Sequence, residues 1–128
     1  MQITPLRGPG TTILVVDDDA LITLNIVDVL NEQGHTALEA FSGPEALALI
    51  ERHPDIGALI TDYSMPGMSG VELAEAARTL RPGLPVLLTS GYSELPAGSE
   101  GAFPHLEKPF REEDLIGRLG LLLTAAAE

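Results

Sequence analysis

The sequence predicts an α/β domain built on a doubly wound, five-stranded parallel sheet. Three observations predict it. Short aliphatic runs alternate along the chain with longer segments of helical apolar spacing, the pattern of parallel strands joined by crossover helices. The strand runs are apolar throughout, as in strands covered on both faces. The charged residues of most chemical interest stand at the C-terminal ends of those runs, where open parallel sheets gather their ligands.

The first ten residues, with Pro5, Gly8, Pro9 and Gly10, read as a flexible lead-in, and the domain is expected over residues 11–126. Ile13-Leu14-Val15-Val16 is the first strand and stops at Asp17-Asp18-Asp19. Ala20 to Gln33 carries Ile22, Ile26, Val29 and Leu30 at helical spacing, with Asp19 as N-cap and Gly34 as C-terminal stop. Thr36 to Ala40 is the second strand. Ser42, with Pro44 soon after it, opens a second helix running through Ile50, and His53-Pro54 ends it. Ile56 to Thr61 is the third strand, closing on Asp62.

The loop Tyr63 to Gly70 leads to a helix with Leu73, Ala77 and Leu80 on one face, broken by Arg81-Pro82-Gly83. Pro85 to Thr89 is the fourth strand, ended by Ser90-Gly91. Residues 92–101, with Pro96, Gly98 and Gly101, are poor in helix signal. Phe103 to Glu107 is a weak fifth strand, followed by Lys108-Pro109. A last helix is expected from about Glu112 to Ala126, with Leu115, Leu119 and Leu122 on one face.

Composition narrows the function. The 128 residues suit one domain, and 45% hydrophobic content supplies its core. Nineteen acidic residues against seven basic ones give a formal charge of −12. Direct nucleic-acid binding is not expected, since phosphate contacts need clustered Lys and Arg. There is no Cys for disulfides or thiolate metal sites. No apolar run approaches the ~20 residues of a membrane helix. A soluble cytoplasmic protein without membrane insertion is expected.

A parallel sheet brings its strand ends together. Here they carry Asp17 and Asp18, then Asp62, Ser90 and Lys108. Carboxylates crowded at one point repel one another, and a divalent cation relieves the conflict. Oxygen ligands without nearby His or Cys suit Mg²⁺ rather than Zn²⁺. Such a corner can host phosphoryl transfer, with charge spread over the equatorial oxygens of the transferred group. Mg²⁺ and Lys108 would neutralise two of those oxygens, and the Ser90 hydroxyl would bind a third. Asp62, central among the flanking strand ends, would be the nucleophile.

ILVVDDD at 13–19, LITDYSMPGMSG at 59–70, PVLLTSG at 85–91 and EKPF at 107–110 together resemble the receiver domain of bacterial two-component response regulators. The resemblance covers about Thr12 to Leu123. It implies the flavodoxin-like receiver fold with strand order 2-1-3-4-5. It further implies that Asp62 accepts a phosphoryl group from a phosphohistidine on a histidine kinase or histidine phosphotransfer protein. Asp18 would bind Mg²⁺ directly and Asp17 would help. The backbone carbonyl of Ser64 would complete the protein's metal ligands. Lys108 would pair with the acceptor or its phosphate, and the bond to Pro109 would be cis.

By the same resemblance Ser90 occupies the position of the family's switch hydroxyl. Thr89 is one position away, and strand alternation lets only one of the two point at the site. Ser64 and Tyr92 stand where the family tunes the dephosphorylation rate. Three departures stand out. Gly91 replaces a small residue that is often Ala. His105 replaces the aromatic switch residue. The interval from Ser90 to Lys108 is shorter than usual by about one helical turn. A short or irregular fourth helix is therefore expected, and GYSELP at 91–96 resembles a subset of receivers with that feature.

The function expected is a phosphorylatable switch acting on a downstream protein target, self-modifying and autodephosphorylating rather than turning over an external substrate. One alternative is a small phosphohydrolase using Asp17 and Asp19, with Asp17 as nucleophile. Another is an interaction module that is never phosphorylated. Asp19 also reads as a simple helix cap, and His35 and His53 as surface residues. His105 reads more simply as a packing residue than as a catalyst, and the last helix as core that could extend into a dimer face. A monomer or weak dimer with no output domain is expected.

Overall fold

The computed structural model describes residues 10–91 and 103–127. The expected lead-in, apart from Gly10, and the irregular segment at 92–101 fall outside the described residues. Five strands form one sheet: β1 (Thr12–Val16), β2 (Thr36–Ala40), β3 (Ile56–Asp62), β4 (Val86–Ser90) and β5 (His105–Glu107). They are parallel throughout and ordered β2-β1-β3-β4-β5. Four helices are described: α1 (Ala20–Glu32), α2 (Gly43–Arg52), α3 (Gly70–Leu80) and α4 (Glu112–Ala127).

Alternation along the strands sorts the core into two halves. Leu14, Val16, Leu59, Val86 and Leu88 pack with Ala46 and Ile50 of α2 and with Leu73, Ala74 and Ala77 of α3. Ile13, Val15, Ala58, Ile60, Leu87 and Leu106 pack with Ile26, Val27 and Leu30 of α1 and with Leu115 and Leu119 of α4. The sheet is thus covered on both faces, which is why its strands are apolar without polar interruption.

Local chemistry sets the helix ends. The Asp19 side chain accepts from the Leu21 and Ile22 amides and starts α1. Gly34, at φ +88°, reverses the chain after its end. Ser42 caps α2, and Ser69 and Glu72 form a reciprocal capping box on α3. Arg81 explains why α2 reaches Arg52 rather than stopping at Ile50. Its guanidinium donates to the carbonyls of Ile50 at 2.8 Å and Ile56 at 2.7 Å, and also to those of His53 and Pro54. The chain-end carbonyls of α2 thereby find partners in a single side chain.

Two strands differ from the sequence expectation because of proline. β4 starts at Val86, since Pro85 has no N–H for the ladder, although its carbonyl still accepts from Leu59. β5 starts at His105 rather than Phe103. Pro104 has no N–H for the ladder, although its carbonyl accepts from Leu88, and Phe103 turns into the core beside α3, with the Arg78 guanidinium 4.9 Å from its ring centre.

Candidate functional site

The C-terminal ends of β1, β3 and β5 deliver charged side chains to one place. Val15, Ile60 and Leu106 face α1 and α4, so Asp17, Asp62 and Lys108, two residues further along each chain, follow on that side. The Lys108 ammonium lies 2.9 Å from Asp62 Oδ1 and 3.2 Å from Asp17 Oδ2. Asp62 is 5% exposed and Asp17 1%. Asp18 is exposed at the rim, and one carboxylate oxygen from each of Asp17, Asp18 and Asp62 lies within 4.8 Å of the others.

The surroundings hold these groups firmly. Asp17 Oδ1 accepts from the Asp19 amide at 2.9 Å, and its backbone carbonyl accepts from the Thr23 hydroxyl. The Tyr63 amide donates to the Thr89 carbonyl at 2.7 Å, which fixes the chain just beyond Asp62 against β4. The Lys108 amide donates to the Ser90 carbonyl at 2.6 Å, and the peptide bond to Pro109 is cis. Burial disfavours the Lys108 charge. The hydrogen bonds and negative charge of Asp62 and Asp17 outweigh it, so its pKa lies above the ordinary lysine value.

The donor set fits Mg²⁺. It is all oxygen, carries several negative charges and includes one exposed member that leaves an approach from solvent. No His or Cys belongs to it, so it does not suit Zn²⁺.

Asp17, Asp18, Asp62 and Lys108 are therefore brought together as the sequence suggests. Ser90 closes β4 beside the Lys108 backbone and is buried. It follows Leu88 on the α2–α3 face, whereas Thr89 is in register with Asp62 and shares its face. His105 is half-buried and in register with Leu88, on Ser90's side, and its carbonyl accepts from Arg118 at 2.6 Å. Ser64 is exposed in the loop after β3. Asp19 is engaged in capping α1, and the side chain of His35 accepts from the Thr11 amide at 3.0 Å.

Two supporting residues escape a sequence reading that looks for charge. Thr23 was hidden inside a helical run, where its hydroxyl reaches back to Asp17 and Asp19. Gly70 opens α3, and its amide donates to the Tyr63 carbonyl at 2.8 Å. A groove of about 840 Å³ between α1 and the start of α4 was also not foreseen. Ile22, Ile26, Val29, Phe110 and Leu115 give it apolar walls, and Lys108 reaches it from the carboxylate cluster.

A five-stranded parallel sheet with a lysine–carboxylate cluster at its C-terminal edge is the arrangement of a class of phosphoacceptor domain, and the comparisons with known proteins agree. The sequence model of the response regulator receiver domain matches residues 13–120, and the chain belongs to that family. The sensor kinase CckA of Brucella abortus is 35% identical over 121 residues, 89% of this chain and 12% of the kinase. The phosphate regulon transcriptional regulatory protein PhoB of Pseudomonas aeruginosa is 34% identical, over 89% of this chain and 52% of the regulator. The chain thus spans about half of one relative and about an eighth of the other.

Among solved structures, a response regulator receiver domain protein from Clostridium thermocellum aligns with TM-score 0.81 at 31% identity, covering 90% of this chain and 95% of that one. The receiver domain of the hybrid histidine kinase CckA aligns with TM-score 0.74 at 31% identity, over 88% and 98%. Receiver domains of two-component systems are phosphoacceptors that work with histidine kinases and downstream effectors, and they are not turnover enzymes on an external substrate. Among the described residues no helix is long and apolar enough to cross a membrane.

Proposed function

We propose that Asp62 accepts a phosphoryl group from a phosphohistidine, with Mg²⁺ held by Asp17, Asp18, Asp62 and the Ser64 carbonyl. The observation that carries this reading is the Lys108 ammonium 2.9 Å from a 5%-exposed carboxylate that shares its oxygens' neighbourhood with two others. In the transfer, an Asp62 carboxylate oxygen forms the new bond to phosphorus. The phosphorus–nitrogen bond breaks, and the electron pair stays on the histidine. Lys108 follows the negative charge from the carboxylate to a phosphoryl oxygen. Ser90, the last residue of β4, follows the other face of the strand, and its hydroxyl would meet another phosphoryl oxygen by turning over the strand end. The bound cation would supply the remaining neutralisation of the transferred group.

The donor is a histidine kinase or histidine phosphotransfer protein. The groove beside Lys108 supports this, because its apolar walls suit the side of a helix carrying the phosphohistidine. Such donors are charged from ATP, so the chain works in the cytoplasm. Hydrolysis of the acyl phosphate, tuned from Ser64 and Tyr92, resets the switch. Ser90 and His105, on the opposite face of the sheet, would pass the change to a downstream protein. The phosphohydrolase alternative is disfavoured because the Asp19 carboxylate is engaged by the Leu21 and Ile22 amides.

Intact mass after incubation with acetyl phosphate and Mg²⁺ tests the assignment. Wild type should gain one phosphoryl group and Asp62→Asn none. A gain in both proteins rejects Asp62, and label mapped to Asp17 favours the hydrolase.

A further inference from the structure

Thr89 is 1% exposed, and among the described residues its Oγ1 is the buried side-chain polar atom that lacks a hydrogen-bond partner. Buried hydroxyls are nearly always partnered, and valine would fill the same strand position without leaving a polar atom bare. A hydroxyl kept under those conditions calls for a state of the protein in which it is used.

Its surroundings point to that state. Thr89 is in register with Asp62 on one side and Leu106 on the other, and it shares the α1–α4 face with Asp62, Asp17 and Lys108. Lys108 stands at the end of β5, yet its ammonium reaches Asp62 at the end of β3. The side chain therefore crosses the end of β4, on the face where Thr89 lies. An ammonium has three N–H donors, and the two carboxylates take one each. Asp17 and Asp62 are also two of the three residues that can hold a cation. The lysine and a divalent cation thus compete for the same carboxylates and repel each other.

We propose that Thr89 is a positioning residue whose hydroxyl receives the Lys108 ammonium when Asp17 and Asp62 turn their oxygens to a divalent cation. This rests on the proposed Mg²⁺-dependent function. Only the lysine side chain has to move, because its amide is anchored on the Ser90 carbonyl at 2.6 Å. Ser90 follows the other face of the strand and is poorly placed for this role. Thr89 rotates about one bond to accept. The lysine then stays charged and close, ready to meet the incoming phosphoryl group.

Mg²⁺ titration by calorimetry of wild type, Thr89→Val and Thr89→Ser tests this. Thr89→Val should bind Mg²⁺ about five- to tenfold more weakly while melting in chelator at or above the wild-type temperature. Thr89→Ser, which keeps the hydroxyl, should stay within about twofold of wild type. In wild type, the Lys108 ammonium resonance should shift on Mg²⁺ addition, a readout that needs no variant. Equal Mg²⁺ affinity in Thr89→Val and wild type, or a lysine resonance that Mg²⁺ leaves unmoved, overturns the proposal alone. Failure of the wild type to bind Mg²⁺ overturns it together with the function on which it rests.

Discussion

Replacing Gly70 by alanine should damage the proposed phosphorylation site without touching a charged residue. Gly70 opens α3 and is buried against the strand that carries Asp62. A Cβ there would stand 2.2 Å from the Asp62 carbonyl oxygen, 2.9 Å from Tyr63 Cα and 3.0 Å from the Asp62 carbonyl carbon. All three atoms are backbone, so no side chain can step aside. Reaching even 3.0 Å from the oxygen requires α3 and the end of β3 to part by about 0.8 Å. Overpacking of this kind costs about 1–3 kcal/mol. The helix-propensity gain of alanine over glycine is at most about 1 kcal/mol and smaller at a first helical position. Instability therefore wins, by roughly 1–2 kcal/mol, or several degrees in melting temperature. Misplacing a reacting group by about 1 Å can cost about a hundredfold in rate, so phosphorylation by acetyl phosphate should slow by about tenfold or more. Gly117→Ala is the control. Gly117 is exposed in α4 and a Cβ there meets nothing within 4 Å, so the same substitution should stabilise by about 0.5–1 kcal/mol and leave the rate unchanged. A Gly70→Ala protein that melts with wild type and phosphorylates within about twofold of it would refute the reasoning.

Lys108→Met should destabilise the fold by about 2 kcal/mol in chelator, since it strands two buried carboxylates, with the partial exposure of the lysine holding the cost below that of a fully buried pair. Mg²⁺ should restore most of that loss, measured as a larger melting-temperature rise than in wild type. The lysine pKa is raised in the folded state, so its contribution is complete at pH values below the unfolded lysine value of about 10.4 and disappears as pH climbs through the folded value. Denaturation curves should thus show a constant gap between wild type and Lys108→Met from neutral pH to about pH 10, narrowing above it. A gap that closes near neutrality would contradict the ion pair. Arg81→Ala should cost about 2 kcal/mol in urea unfolding, because it leaves the Ile50 and Ile56 carbonyls without their guanidinium donor. An unchanged midpoint would show that water replaces the guanidinium fully.

Much of the fold was legible because each local signal agreed with the global one. Asp19, Ser42 and Gly34 mark helix ends by chemistry that depends on a few neighbouring residues, and each acts where its sequence context says it should. The carboxylate cluster was legible for a different reason. Parallel strands all end on the same edge, so an acidic residue after β1, another closing β3 and a lysine after β5 must converge whatever separates them in sequence. Arg81 was read only as part of a helix breaker. Its four acceptors belong to residues 25 to 31 positions away, and no short-range pattern announces a guanidinium aimed at the carbonyls between the end of α2 and the start of β3.

The pair Thr89 and Ser90 shows where sequence stops and register begins. Both are small hydroxyl residues at the end of the same strand, and only the resemblance to receiver domains ranks them, in favour of Ser90. Register ranks them, because Thr89 is level with Asp62 and Ser90 with Glu107. Thr89 thereby shares the face of Asp62, while Ser90 follows the face that holds His105. A shift of one residue in β4 would exchange the two and put the unpartnered hydroxyl on the opposite side of the sheet. The ladder beneath makes that shift costly. Leu87 and Leu88 belong to opposite halves of the core, each completely or almost completely buried, and sliding the strand would turn each toward the other's neighbours. The apolar packing of β4 thus fixes which hydroxyl shares the face of Asp62. A volume change at Leu87 or Leu88 that disturbs register should alter Mg²⁺ affinity even though neither residue touches the carboxylates.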